Sequence, residues 1–179
     1  MGIRGLIAVL AAAGLARSAA AQTSDRQALV RIPYRSYVSL NPLGIPFDIF
    51  SVEVESGIAQ GMTLGAQASH IDVSDQRFSS ADFKFRYYPG EIVLRGFSVG
   101  ASLGVLRYSD IRDGGVRESL DAPTFGAILD YNWMLGLQRR FVVGTGIGAK
   151  RVLASSEERA RVGLDRAQLT ARFTVGIAF

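Results

Sequence analysis

Residues 168–179 read QLTARFTVGIAF, and every second side chain in this stretch is apolar. The apolar positions are Leu169, Ala171, Phe173, Val175, Ile177 and Phe179. The residues between them are polar or small. A period of two over this length is typical of a β-strand with one apolar and one polar face. Because the alternation continues to Phe179, we expect this strand to be paired along its whole length.

The same period recurs along the rest of the chain. It is found in FSVEVES at 50–56, MTLGAQAS at 62–69, ADFKFRYY at 81–88, GFSVGASLGVL at 96–106, TFGAILDYNWML at 124–135 and FVVGTGIGAK at 141–150, and more weakly near 37–41. Together with the last segment, these patterns predict eight strands and an all-β fold.

The segments between the predicted strands alternate in length. The connections near 57–61, 88–96 and 135–140 are short, those near 72–80, 108–123 and 152–166 are long and polar, and 41–48 is intermediate. Short turns at one end and long loops at the other are typical of membrane barrels. Residues 34–179 are therefore predicted to form an eight-stranded antiparallel up-and-down transmembrane β-barrel.

Composition and charge exclude several classes of protein. The 179-residue chain is 48% hydrophobic and 20% charged, which is typical of a folded protein. It has no cysteine, so disulfides, cysteine metal sites and thiol nucleophiles are excluded. The net charge is only +4, with acids and bases interspersed. We therefore expect neither nucleic acid as a partner nor a cofactor.

The first residues have the pattern of an export signal. Arg4 precedes an apolar run at 5–16, and a run of alanines at 19–21 follows. The apolar run is shorter than the about 20 residues of a membrane helix. The sequence predicts a signal peptide at 1–21, cleaved after Ala21, and a short periplasmic segment at 22–33.

Aromatic residues are predicted at both ends of the outward-facing rows. If the short turns are periplasmic, Tyr87, Phe97, Trp133, Phe141 and Phe179 lie at the periplasmic ends. Phe50, Phe78 and Phe125 lie at the opposite ends, and small apolar residues lie between. Aromatic girdles at the two bilayer interfaces have this distribution. It favours a barrel in the bacterial outer membrane, in contact with lipid and lipopolysaccharide, and we expect a monomer.

Several stretches resemble known proteins. SLNPLGIPFDIFSVEVESGIAQGMTLGAQASH at 39–70, FKFRYYP at 83–89 and LRGFSVGASLGVLRY at 94–108 resemble a group of small bacterial outer-membrane β-barrels of uncharacterised function. The shared elements are an Asn-Pro-Leu opening, a strand ending Tyr-Tyr and a glycine-rich next strand. The last strand resembles the sorting signal that such barrels present to the barrel-assembly machinery. That resemblance implies the machinery as a partner during biogenesis and a signal formed by Phe173, Val175, Ile177 and Phe179.

The inward faces of the predicted strands carry as many acids as bases. They are Glu53, Glu55, Asp82, Lys84, Arg86, Asp130, Lys150 and Arg172. The interior of an eight-stranded barrel is just wide enough for its own side chains. We therefore predict a paired structural network, with Gly144, Gly146 and Gly148 leaving space for large residues such as Arg86 or Arg172. A narrow pore is the alternative, but a conduction path would favour one dominant charge sign.

His70 is the one residue with catalytic potential, because the chain has no other imidazole. Some outer-membrane enzymes that trim lipid A use a histidine and a serine two positions apart on a barrel's outer wall. Here Asp72 occupies that second position and Ser69 is on the opposite face. We expect a non-enzymatic protein whose extracellular loops act in surface interaction or envelope integrity, with an outer-leaflet lipid-modifying enzyme as the alternative.

Two loop segments have readable local chemistry. RDGG at 112–115 predicts a loop tip by its turn residues. SEERAR at 156–161 is interpreted as a solvated charge run rather than a helical turn.

A soluble lipocalin-like barrel is the alternative fold, but its interior should be apolar enough to hold a ligand.

Overall fold

In a computed structural model, described over residues 34–73, 76–111 and 117–179 (for Arg117 the backbone only), the chain forms a closed barrel. The strands are β1 (Ser36–Leu40), β2 (Ile49–Ala59), β3 (Met62–Val73), β4 (Gln76–Tyr87), β5 (Gly96–Ile111), β6 (Arg117–Leu135), β7 (Phe141–Val152) and β8 (Ala167–Ala178). All neighbours are antiparallel and follow chain order, and β8 returns to β1. The predicted eight-stranded antiparallel barrel is confirmed.

Three sequence predictions lie outside the described residues. They are the signal peptide at 1–21, the segment at 22–33 and the loop tip at 112–115. Within the described residues, no helix has the length and apolar character needed to cross a membrane.

The barrel closes through the strand with which the sequence analysis began. Val38 on β1 pairs with Ile177 on β8. Beyond that ladder, the backbone N–H of Phe179 donates to the carbonyl of Ser36 at 2.8 Å, and Ser36 donates back at 3.1 Å. The expectation that the last strand is paired along its length is confirmed on the β7 side, where the ladder runs from Ala167 to Ile177. On the β1 side the ladder covers only Val175 to Ala178, so the barrel closes at the Phe179 end of β8 while residues 167–174 have no partner on β1.

Strand tilt follows from the register. A ladder followed from Leu135 on β6 through β7, β8 and the next five strands returns to β6 at Phe125. That offset of ten residues around eight strands corresponds to a tilt of about 40°.

The polarity of the two faces of the barrel wall is the reverse of that in a soluble protein, with polar side chains inside and apolar side chains outside. Glu53 and Arg86 point inward and have no exposed surface, whereas Phe83 on the outer wall is 68% exposed and Leu103 is 67% exposed. The buried interior is thus largely polar and the exposed wall largely apolar.

The predicted alternation of short and long loops is wrong for two of the three long connections, whereas the connection between β7 and β8 is long as predicted. β3 and β4 continue through 72–80 and leave only residues 74–75 between them, and β5 and β6 occupy most of 108–123. Polar residues extend these hairpins because ladder hydrogen bonds join backbone groups, whatever the side chains. Cross-strand ion pairs accompany the extension, such as Arg77 Nε to Asp72 Oδ2 at 2.7 Å.

The interpretation of SEERAR as a solvated charge run is also wrong. Residues Ser156–Val162 form helix α1. Its start is a capping box, in which the Ser155 hydroxyl accepts from the Glu158 N–H and the Glu158 side chain accepts from the Ser155 N–H. This backbone hydrogen bond holds the pKa of Glu158 below its usual value. Gly163 ends the helix with φ of 70°.

Helix α1 is held to the barrel by an apolar cluster at its mouth. Val162 and Leu164 are buried there against side chains of β5, β6 and β7. The cluster, here called the apolar cap, consists of Leu106, Tyr108, Leu120, Ala122, Val152, Val162 and Leu164. Phe78, predicted to face outward, instead turns inward and packs against it. The reason is that β4 extends back to Gln76, so Phe78 belongs to the strand. Every second residue of a strand faces the same side, and Phe78 therefore shares the inward face of Asp82.

Candidate functional site

All eight predicted inward charges lie in the barrel interior. Six of them are buried, and the side chains of Lys150 and Arg172 keep 14% and 7% exposure. Six of the eight belong to one connected group, and Asp82 and Lys150 form a separate pair. Each set contains as many acids as bases.

Arg86 is at the centre of the larger group. Its Nε donates to Asp130 Oδ2 at 2.6 Å, its Nη2 lies 3.2 Å from Glu53 Oε1, and its Nη1 donates to Glu55. One guanidinium therefore contacts three carboxylates from two strands. Such multiple charge-assisted hydrogen bonds suit the fixed fork of arginine.

Glu53 forms ion pairs with the two remaining basic side chains of this group. Lys84 Nζ lies 2.7 Å from Glu53 Oε2, and Arg172 Nη2 lies 2.8 Å from Oε1. Arg172 Nη1 is also 4.0 Å from Asp130 Oδ1. Opposite charges at these distances offset the cost of removing them from water.

Four neutral side chains that the sequence analysis missed complete the group. The Tyr37 hydroxyl lies between the carboxylates of Glu53 and Glu55, 2.7 Å from Glu55 Oε2. Thr63 and Tyr88 donate to Glu55 Oε1 at 2.5 and 2.8 Å. Asn132 donates to the Tyr88 hydroxyl at 3.0 Å and accepts from Arg172 at 2.9 Å. The alternation of inward and outward residues along each strand could have identified all four, because each occupies an inward position.

The second set is a single ion pair nearer the mouth. Lys150 Nζ on β7 lies 2.5 Å from Asp82 Oδ2 on β4, and the Ser80 hydroxyl donates to the same oxygen at 3.1 Å. The pair joins strands on opposite sides of the barrel.

Glycines on β7 make room for these side chains. A Cβ at Gly144 would collide with Arg172 Nη1, and one at Gly146 would collide with Asp130 Oδ1. The predicted space for Arg172 is confirmed at Gly144. The nearest side-chain atoms at the other two glycines belong to Asp130, Thr170 and Ile128 rather than Arg86.

A vestibule of about 610 Å³, lined by both polar and apolar side chains, lies above the charges, at the end of the barrel that carries residues 41–48 and α1 (the loop end). Asn41, Gln67 and Gln168 line its wall. Lys84, Asp130, Lys150 and Arg172 also line it, so the vestibule reaches the paired charges. Among the described residues, no group of three or more His, Asp or Glu side chains is arranged to hold a metal ion.

His70 has a serine partner that the sequence analysis did not find. His70 Nδ1 lies 2.8 Å from the Ser79 hydroxyl, because β4 places Ser79 directly opposite His70 on the outer wall. The argument from a missing serine is therefore wrong. In the part of the chain that the structure describes, no hydrogen bond to the other ring nitrogen is found.

The row containing His70 continues across two more strands. Ser79 pairs with Arg107 on β5, and Arg107 pairs with Asp121 on β6. Arg107 donates through Nε and Nη2 to the two carboxylate oxygens of Asp121, at 2.6 and 2.7 Å. We call His70, Ser79, Arg107 and Asp121 the polar row.

The aromatic residues predicted for the interfaces lie on outward positions. Tyr87, Phe97, Trp133, Phe141 and Phe179 are near the end that carries Phe179 (the Phe179 end), and Phe50 and Phe125 are nearer the loop end. Phe83 lies in the interior of β4, where small residues were expected. The residues predicted as a sorting signal, Phe173, Val175, Ile177 and Phe179, occupy one outward row on or directly after β8.

The chain is similar to two solved structures. The first is the N-terminal β-barrel domain of Pseudomonas aeruginosa OprF, with 14% identity, a TM-score of 0.49 and coverage of 82% of this chain and 98% of that one. The second is the Yersinia pestis outer membrane protein Ail in a phospholipid bilayer nanodisc, with 11% identity, a TM-score of 0.43 and the same coverage. No protein-family model and no curated protein matches the chain.

Proposed function

We propose that this protein is a non-enzymatic transmembrane β-barrel of the bacterial outer membrane, with the loop end outside the cell for surface interaction or envelope integrity. The observation that carries the proposal is the reversed wall, polar and ion-paired inside and apolar outside. Large exposed apolar surface is unfavourable in water and neutral in lipid.

The height of the apolar wall supports membrane insertion. The outward positions of β6 from Phe125 to Leu135 are Phe, Ala, Leu, Tyr, Trp and Leu. At a rise of about 3.4 Å per residue and a tilt of about 40°, this stretch spans roughly 25 Å along the barrel axis. An apolar band of about 25 Å is the height found in outer-membrane barrels.

The aromatic residues support contact of both barrel ends with the bilayer interfaces. An outward ring near the Phe179 end is half wetted if that end meets the periplasmic interface. The row formed by Phe173, Val175, Ile177 and Phe179 then faces lipid, in the place where a sorting signal would be read by the barrel-assembly machinery.

The paired charges support a structural lumen rather than a pore. Arg86, Glu53 and Asp130 neutralise one another at hydrogen-bond distance. Moving an ion past them would require separating buried pairs, which is costly.

The His70–Ser79 contact favours one second candidate, hydrolysis of an outer-leaflet lipid ester. Ser79 would be the nucleophile and His70 the general base. A base of this kind is normally oriented by a third group, and none of the described residues bonds to the second ring nitrogen of His70. For this reason we keep the non-enzymatic function as the proposal.

Membrane fractionation with an unboiled and a boiled gel sample tests the proposal. We expect the protein in the outer-membrane fraction, with different migration before and after boiling because a folded barrel resists detergent. Recovery in the soluble periplasmic fraction with a single migration would contradict it.

A further inference from the structure

A furrow runs along the outer wall above β3. Ala66 and Ala68 on β3 and Ala81 on β4 form its floor, since their side chains barely rise above the backbone. Two adjoining hollows of about 690 and 550 Å³ share Ala68, Ala81 and Val105. Because the two hollows share these residues, the furrow is continuous along the strands.

Larger apolar side chains form the sides of the furrow. Val52 and Val54 on β2 pair with Ala68 and Ala66, and Phe83 and Leu103 face them from β4 and β5. Phe50 flanks the upper hollow, beside His70. The furrow is therefore elongated, apolar and open to the lipid side of the wall.

The furrow ends at the polar row. The upper hollow is lined by all four members of this row, His70, Ser79, Arg107 and Asp121. Two residues nearer the loop end, Arg77 pairs with Asp72 at 2.7 Å. Donors and acceptors thus begin where the apolar wall stops.

We propose that the furrow binds one acyl chain of lipid A, the lipid part of lipopolysaccharide, with the phosphate and sugar of its headgroup on the polar row. This inference rests on the proposed placement in the outer membrane, with the loop end outward. An outer-leaflet lipid then meets the furrow with its headgroup at the level of His70.

The headgroup contacts decide which lipid is preferred. In a bilayer, every apolar wall is covered by acyl chains, so apolar burial alone favours no particular lipid. Arg107 uses Nε and Nη2 on Asp121, which leaves Nη1 for a phosphate oxygen. His70 uses Nδ1 on Ser79, and among the described residues no hydrogen bond occupies its Nε2.

The polar row is also held in place before a lipid arrives. The two hydrogen bonds from Asp121 fix the guanidinium plane of Arg107, so less side-chain freedom is lost on binding. Asp121 and Ser79 offer acceptors to sugar hydroxyl groups. Lipid A offers phosphate monoesters held on a rigid sugar ring with hydroxyls beside them, whereas phosphatidylglycerol offers one phosphodiester with hydroxyls on a flexible glycerol and phosphatidylcholine offers no hydroxyl.

Lipid retention measured by native mass spectrometry on the delipidated, refolded full chain tests the inference. The probes are lipid A, phosphatidylglycerol and phosphatidylcholine. We expect one copy of lipid A to be retained about tenfold more strongly than either phospholipid.

Matched variants locate the site. Ala68→Leu combined with Ala81→Leu fills the furrow, and Arg107→Ala removes the phosphate contact. Each should weaken lipid A retention by about five- to tenfold. The controls are Ala127→Leu, an outward alanine on β6, and Arg151→Ala, an outward arginine on β7, and both should stay within about twofold of the parent.

Equal retention of lipid A and phosphatidylglycerol, or equal losses in furrow and control variants, would overturn the inference. Each variant counts as folded if its unboiled and boiled samples migrate differently, as those of the parent do. Fractionation separates the two proposals, because a protein found outside the outer membrane contradicts the proposed function, whereas an outer-membrane protein without selectivity contradicts only the furrow.

Discussion

Arg86 Nε donates a hydrogen bond to Asp130 Oδ2 at 2.6 Å, joining β4 to β6 across the lumen. The same guanidinium has no exposed surface and contacts two further carboxylates. Arg86 is thus the side chain on which most of the buried negative charge of the barrel depends.

Replacing Arg86 should destabilise the barrel strongly. Arg86→Ala leaves buried carboxylates without their partner, at a cost of about 3–5 kcal/mol, and less where water enters the lumen. Val99→Ala removes only part of an outward side chain on β5 and should cost at most about 1–2 kcal/mol. Urea unfolding in lipid vesicles compares the two, and equal midpoints would contradict the network.

The pair of Asp82 and Lys150 allows a double-mutant test. Lys150→Met leaves Asp82 buried and unpaired, with an expected loss of about 2–4 kcal/mol in the free energy of unfolding. Adding Asp82→Asn removes the stranded charge, so the double variant should recover most of that loss. Additive losses would mean that the two side chains act independently.

Planar-bilayer recordings test the lumen as a conduction path. Because the buried charges are paired, the parent protein should show no steady, ion-selective current. A stable single-channel current whose selectivity changes in Arg86→Ala would establish a pore and reject the structural lumen.

The catalytic alternative is tested on the lipid itself. Mass spectra of lipid A from cells with the parent protein and from cells with His70→Ala should be the same, because nothing described orients the second nitrogen of His70. Loss of a parent-dependent lipid A product in His70→Ala and also in Ser79→Ala would establish an enzyme.

Phe179 provides a test of assembly. Its side chain is 63% exposed on the outer wall, and its backbone bonds to Ser36 at the closing ladder. Phe179→Asp should lower the outer-membrane level of the protein, since a charge at this position opposes insertion. Phe47→Asp, at an exposed loop phenylalanine, is the control, and equal levels of the two variants would contradict a role in sorting.

The corrections to the sequence-based predictions have a common cause. The ends of β3, β4, β5 and β6 were taken as loops because their residues are polar, although the ladder continues through them. Phe78 was placed on the wrong face for the same reason. For helix α1 a local signal was present in the capping box of Ser155 and Glu158, whereas the packing of Val162 in the apolar cap is made with residues distant in sequence.

The sequence by itself determined the strand number and the inward position of eight charges, because both depend on a period of two read within one segment. The antiparallel order was predicted from the connections between successive segments. Which charges meet was decided only by the tertiary structure. Register and tilt bring Arg86 to Asp130, Lys150 to Asp82, and Ser79 to His70. A contact between strands depends on how closure offsets each strand against the next, and no single segment encodes that offset.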